Sequence, residues 1–135
     1  MEISQEQESM LRASLLERQS QEIAEKIDYL SQQIADLSEF SKNIGLFAKS
    51  SQEGKEAFSS LGRGVYVKSI LDDNNLFVNV GSGVVVKKTP EETKKIIDGQ
   101  LSSFHEAKLR LTAQMEIYNQ LLSQAVSEFQ KNKKD

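Results

Sequence analysis

The segment that decides the fold is Leu61-Gly62-Arg63-Gly64-Val65-Tyr66-Val67-Lys68, which returns 19 residues later as Val80-Gly81-Ser82-Gly83-Val84-Val85-Val86-Lys87. Each copy places a Gly-x-Gly turn before a run of β-branched residues. Glycine has the access to positive φ that a tight strand reversal needs. Strand-like residues also lead into each turn, from Glu56 to Ser60 and from Leu76 to Val80. The duplication therefore predicts two β-hairpins of nearly identical construction within residues 54–88.

Helix-forming segments lie on both sides of the hairpins. All seven glycines fall between Gly45 and Gly99, so no breaker interrupts the first segment before Gly45. This pattern predicts an N-terminal helix within residues 1–50 that ends either at Gly45 or near Ser50. Thr89-Pro90-Glu91-Glu92 then opens a second helix within residues 89–135, because Thr89 can accept from the N3 amide, Pro90 suits the first helical position and Glu92 can close a capping box.

Both helical segments carry an apolar seam with a 3.5-residue period. The first seam keeps its register through Ser20 and Ser41 and contains Leu16, Ile23, Ile27, Leu30, Ile34, Leu37 and Ile44. The second contains Ile97, Leu101, Phe104, Leu111, Met115, Tyr118, Leu122, Ala125 and Phe129. Lys108 interrupts it, either to set the register or to extend its ammonium into solvent. One stripe cannot stabilise a lone helix, so we expect an antiparallel coiled coil with Ile44 near Ile97 and Leu16 near Ala125. The predicted fold class is α+β, a long antiparallel coiled coil with two central β-hairpins.

Composition restricts the classes of function. A chain of 135 residues with 38% hydrophobic and 7% aromatic residues allows one domain without a thick core. Its net charge of −3 gives no broad positive field for nucleic acid. There is no cysteine, and no apolar run reaches the ~20 residues that cross a bilayer. We therefore expect a soluble cytoplasmic protein that binds neither nucleic acid nor membrane.

The sequence contains no combination of residues that is typical of an active site. His105 is the single histidine, so it cannot form a His-x-x-x-His metal pair, and we expect it to face solvent. The Gly-x-Gly turns lack the third glycine and the following helix of a dinucleotide site. The carboxylate pairs Glu91-Glu92 and Asp72-Asp73 suit a helix N-terminus and a turn. We predict no catalytic, cofactor or metal site.

The four short strands leave open edges, and isolated hairpins are unstable unless those edges are paired or covered. We therefore expect strands of neighbouring copies or related subunits to complete the β segment. The residues predicted for subunit assembly are Leu61, Gly62, Gly64, Val65, Val67, Val78, Val80, Gly81, Gly83, Val84 and Val86.

The order helix, two hairpins, helix, together with both Gly-x-Gly segments and the Thr89-Pro90-Glu91-Glu92 start, resembles the alpha-type subunit of prefoldin over nearly the full length. Where the family usually has a proline before the first Leu-Gly turn, this chain has Ser60. The resemblance implies a hexamer of two alpha-type and four beta-type subunits with a β-barrel body and coiled-coil arms. It also implies ATP-independent capture of unfolded proteins and their delivery to a group II chaperonin.

The resemblance places client binding at the distal ends of the coiled coils. There we expect apolar side chains near the two chain ends to contact clients, namely Ile3, Met10, Leu11, Leu121, Leu122, Val126 and Phe129. For Leu122 and Phe129, ordinary seam packing is the alternative. Three other interpretations remain open: a structural coiled-coil adaptor, a filament-forming prefoldin relative, and a coiled-coil finger that acts on RNA polymerase.

Overall fold

The computed structural model describes residues 4–134, and the side chains of residues 4–131. The elements in chain order are α1 (Gln5–Ala48), β1 (Glu56–Gly62), β2 (Val65–Ile70), β3 (Leu76–Gly81), β4 (Val84–Lys88) and α2 (Pro90–Lys134). The predicted α+β fold, with two long helices and two hairpins between them in the sequence, is confirmed. Helix α1 continues through Gly45 and ends at Ala48. In the described part of the chain the strands form two separate two-stranded sheets, and no barrel closes.

Both helices begin at side-chain caps. The Glu92 amide donates to Thr89 Oγ1 at 3.1 Å, which confirms the predicted Thr89 cap. Helix α1 begins with a reciprocal pair that the sequence analysis missed: Gln7 N–H donates to Ser4 Oγ at 3.2 Å, and Ser4 N–H donates to Gln7 Oε1 at 3.3 Å. This Ser-x-x-Gln arrangement satisfies amides that the first helical turn would otherwise leave unpaired.

The chain divides into two units, of which the first comprises residues 1–35 and 103–135. Within it the helices run antiparallel, because a later residue of α1 contacts an earlier residue of α2. Arg12 Nη1 lies 3.4 Å from Glu128 Oε2, whereas Ser20 Oγ lies 3.2 Å from both Asn119 Oδ1 and Met115 Sδ. Ile23 and Ala125 are buried here, and both belong to the predicted seam.

The second unit comprises residues 36–102 and contains both hairpins with the adjoining helix turns. Ile44 and Ile97 are buried in this unit, and both again belong to the predicted seam. Buried Ser41 donates its hydroxyl to Asp98 Oδ1 at 2.7 Å, and Lys94 Nζ lies 2.9 Å from Asp98 Oδ2. The hydrogen bond from Lys94, followed by that from Ser41, lowers the pKa of Asp98 below its ordinary value. Asp98 therefore ties α2 to α1 in its ionised form.

Acidification is expected to weaken this tie. Because the pKa of Asp98 is lowered in the folded chain, its stabilising contribution is complete above the unfolded-state pKa of about 3.8. The contribution is lost as the pH falls through the lower folded-state pKa. We expect the melting temperature of Asp98→Asn to fall less between pH 5 and pH 2 than that of the parent, as measured by circular dichroism. Identical pH profiles for the two proteins would contradict this role for Asp98.

The two hairpins share one turn geometry. In the first, Arg63 and Gly64 both have positive φ, 51° and 80°, and in the second Ser82 and Gly83 have 51° and 75°. Two positive central φ values are what a type I′ turn requires, and this turn matches the twist of paired strands. In each hairpin the register also shifts just before the turn, between Ser60 and Gly62 and between Asn79 and Gly81. The prediction of two nearly identical hairpins is confirmed, and the two also share this bulge.

Side chains hold the bulge in both hairpins. The Gly62 amide donates to Ser60 Oγ at 3.2 Å, and the Gly81 amide donates to Asn79 Oδ1 at 2.9 Å. Ser60, the residue at which this chain departs from the usual proline, therefore supplies an acceptor equivalent to Asn79.

Candidate functional site

The first candidate surface is the hairpin β1–β2. Every residue from 58 to 68 is exposed, and Phe58 is 74% exposed. Side chains directly opposite one another on paired strands share a face, so Phe58, Tyr66 and Ile70 lie on one face. A two-stranded hairpin without a packing partner is only marginally stable in water. This face is therefore incomplete in the single chain.

Charges on the same face are neutralised within the hairpin. Lys68, which is opposite Phe58, places its Nζ 3.1 Å from Glu56 Oε1. On the other face the hydroxyls of Ser59 and Ser69 lie 3.0 Å apart, and Ser69 also donates to the Ala57 carbonyl at 3.2 Å. The Phe58 face thus combines large apolar side chains with an internally paired charge.

The second hairpin, β3–β4, is fixed at its base by Asp73. The Asn75 amide donates to Asp73 Oδ1 at 2.8 Å, and Lys87 Nζ lies 3.3 Å from Asp73 Oδ2. The hydrogen bond from the Asn75 backbone, followed by that from Lys87, lowers the pKa of Asp73. Asp73 therefore stabilises the turn, as the sequence predicts.

The predicted assembly residues fall into two groups. Those that the structure leaves exposed are Leu61, Gly62, Gly64, Val65, Val67, Val80, Gly81, Gly83 and Val84. Val78 and Val86, which are paired across β3 and β4, are half-buried. A surface with this many exposed apolar side chains is typical of protein interaction sites.

An apolar groove that the sequence analysis missed lies beside β3–β4 within residues 36–102. It consists of two adjoining depressions of about 290 and 340 Å³ that share Phe40, Phe77, Val78 and Thr93. None of the residues that line either depression carries a charge. The sequence contains one indication of this groove, because the aromatic residue Phe40 lies off the helical seam. In the structure Phe40 is half exposed.

The second candidate surface lies near the start of α1 and near the end of α2, in the unit of residues 1–35 and 103–135. Met10 is 55% and Leu11 61% exposed. Leu121 and Val126 are exposed as well, whereas Leu122 and Phe129, which belong to the seam, are half-buried. Ile3 lies outside the described residues.

Further exposed apolar residues in the same unit lie outside the predicted client-binding set. They are Leu15, Tyr29, Leu109 and Ile117. All four lie off the 3.5-residue seam, and this position relative to the seam distinguishes them in the sequence. The exposed apolar side chains of this unit are therefore not confined to the ends of the helices.

Within the described residues, the structure assembles no group of three or more His, Cys, Asp or Glu side chains suited to a metal ion. His105 is exposed on α2, as predicted. Neither helix, over its described residues, has a stretch sufficiently long and apolar to span a membrane.

Exposed apolar side chains on the coiled coil and on the hairpins are typical of protein interaction surfaces. The family model for prefoldin subunits matches residues 16–135. The chain therefore belongs to the prefoldin family, which is a family of chaperones that are not enzymes.

Comparison with solved structures supports the same fold. The cryo-EM structure of filamentous PFD from Methanocaldococcus jannaschii superposes with a TM-score of 0.71 at 18% sequence identity. The match covers 85% of this chain and 95% of that chain. The comparison with curated proteins found no match.

Proposed function

We propose that this chain is a subunit of an ATP-independent molecular chaperone that captures unfolded or nascent proteins at its coiled-coil ends. In this proposal it prevents client aggregation and transfers clients to a group II chaperonin in the cytoplasm, without catalysis or a cofactor. The observation that carries the proposal is the exposure of Met10 and Leu11 near the start of α1. A non-native chain exposes apolar surface that these side chains can bury with it.

The affinity arises from many weak contacts. Burial of one such side chain is worth about 1.5 to 3 kcal/mol before entropic losses, so a single arm binds poorly. Several arms raise the effective concentration of the remaining sites after the first contact. Met10 contributes through its flexible thioether, which adapts to many partners. Clients can still leave when individual contacts open.

The assembly that we propose is a hexamer of two copies of this alpha-type chain and four beta-type prefoldin subunits. The presence of two hairpins, β1–β2 and β3–β4, supports the alpha type. Their exposed faces would meet those of the other subunits and build a β-barrel body from which the coiled coils project.

Truncation tests whether the helix ends bind clients while the hairpins hold the assembly together. Deletion of residues 1–12 and 124–135 is expected to abolish suppression of client aggregation, measured by light scattering of a denatured substrate protein. The mass of the hexamer should decrease only by that of the deleted residues, because the hairpins are untouched. If the truncated assembly protects clients as well as the intact one, the helix ends do not bind them.

Filament formation is the second candidate function. It is favoured by the match to the filamentous PFD structure, which covers 85% of this chain, and by the exposed hairpin faces. A filament would use the same β surfaces with copies of a single chain.

A further inference from the structure

The segment between β2 and β3, residues 71–75, joins the two hairpins, and we call it the hairpin linker. Within the described residues the strands form two separate two-stranded sheets, so no strand ladder connects one hairpin to the other. The orientation of the second hairpin relative to the first therefore depends on the hairpin linker and on the residues that this linker contacts.

Two neighbouring residues of the hairpin linker contact different parts of the chain. Asp73 contacts the second hairpin, because Lys87 of β4 places its Nζ 3.3 Å from Asp73 Oδ2. Asn74 contacts the segment between α1 and β1: its Oδ1 accepts from the Gln52 amide, and its Nδ2 lies 3.5 Å from Ser51 Oγ. Asn74 therefore connects the base of the second hairpin to the chain that leads into the first.

The segment that Asn74 contacts is itself held on both sides. Gln52 Nε2 donates to the Phe47 carbonyl at 3.0 Å and so pairs one of the last carbonyls of α1. Two residues later the Gly54 amide donates to the Leu71 carbonyl at 2.7 Å, next to the β1–β2 ladder. The contacts of Asn74 therefore reach both the end of α1 and the base of the first hairpin.

We propose that Asn74 is a positioning residue that holds the second hairpin in one orientation relative to the first and to the end of α1. A side-chain amide suits this role, because it accepts from one group and donates to another at the same time. This inference rests on the proposed function in one respect. If the hairpins are assembly surfaces, a fixed orientation presents both of them to the neighbouring subunits in a single geometry, which reduces the entropy lost on association.

The absence of native cysteine allows the orientation to be measured with spin labels. Val65→Cys and Val84→Cys mark equivalent positions, the first strand residue after each turn, and both side chains are exposed. The doubly labelled chain is diluted with an excess of unlabelled chain, so that double electron–electron resonance records distances within one copy. We expect a narrow distance distribution for the parent and a distribution at least twice as wide for Asn74→Ala.

Two control variants separate the contacts of Asn74 from a general loosening of the linker. Asn74→Asp keeps an oxygen that can accept from the Gln52 amide, so it should retain the narrow distribution. Asp72→Ala removes an exposed side chain of the same linker and should also leave the distribution narrow. The inference is wrong if Asn74→Ala gives the same width as the parent, or if Asp72→Ala broadens the distribution equally.

Hydrogen exchange gives a second measurement that does not depend on labels. Because the Gln52 amide donates to Asn74, it should exchange faster in Asn74→Ala, whereas the strand amides of β1–β2 should keep the protection of the parent. Faster exchange throughout β1–β2 would show that Asn74 supports the folding of the hairpin and not its orientation, and would overturn the inference.

The effect on assembly is expected in the rate of association. A chain whose hairpins sample several orientations binds in proportion to the fraction that has the competent one, so Asn74→Ala should lower the association rate constant with beta-type subunits about fivefold. The dissociation rate constant should change less than twofold, because the neighbouring subunits hold the hairpins once the assembly has formed. Surface plasmon resonance measures both constants.

Failure of this inference can be distinguished from failure of the proposed function. If the parent does not associate with beta-type subunits while the spin-label result holds, the proposed assembly is wrong and the positioning role of Asn74 stands. If the parent associates and Asn74→Ala leaves both the distance distribution and the association rate unchanged, the positioning role is wrong and the proposed assembly stands.

Discussion

Replacement of Val67 and Val84 by lysine is expected to abolish assembly with beta-type subunits at micromolar concentration. Both side chains are exposed in the single chain, so lysine is compatible with each hairpin on its own. In an assembled β body each ammonium would be buried without a partner, at a cost of about 3 to 5 kcal/mol. Two such losses correspond to at least a thousandfold weaker association. Native mass spectrometry would then show separate subunits.

Leu109→Lys is the matched control for this prediction. It adds the same charge at an exposed apolar position of α2, outside the hairpins, and should leave the mass of the assembly unchanged apart from the substitution. Circular dichroism of both variants should retain the helical signal of the parent. An intact assembly of the Val67→Lys, Val84→Lys variant would show that the hairpins are not the interface.

Client binding should weaken at least tenfold when Met10, Leu11, Leu121 and Val126 are all replaced by serine. All four side chains are exposed in the coiled coil, so their removal does not create a cavity. Loss of one buried contact of about 1.5 kcal/mol already corresponds to a tenfold change, and arms of other subunit types retain part of the affinity. Fluorescence anisotropy of a labelled denatured client measures the dissociation constant.

Tyr29→Ser serves as the control for the helix ends. Tyr29 is 60% exposed on α1 and lies outside the predicted client-binding residues. Its replacement removes exposed apolar surface away from the helix ends and should change the dissociation constant less than twofold. Equal effects of the two variants would show that clients bind along the whole coiled coil rather than near its end.

The hairpins and the seam could be predicted because their signals are local. Positive φ at Gly64 and Gly83 follows from turn chemistry, and burial of Ile23 and Ala125 follows from a 3.5-residue period. The Ser4–Gln7 cap was also present in the sequence and was missed because no apolar seam follows it closely.

The groove could not be predicted in the same way. Phe40, Phe77 and Ile96 are far apart in sequence, and only the fold places them around one depression. The contacts that the hairpin faces make could not be predicted either, because they depend on surfaces that a single chain does not supply. Positions off the seam, such as Leu109 and Ile117, identify exposed apolar surface but not its partner.

Assembly through the hairpins is tested most directly by the native mass of this chain with a beta-type prefoldin subunit. We expect one species that contains two copies of this chain and four of its partner, with every hairpin amide from 58 to 68 protected from hydrogen exchange. A monodisperse monomer with freely exchanging hairpin amides, in the presence of that partner, would contradict it.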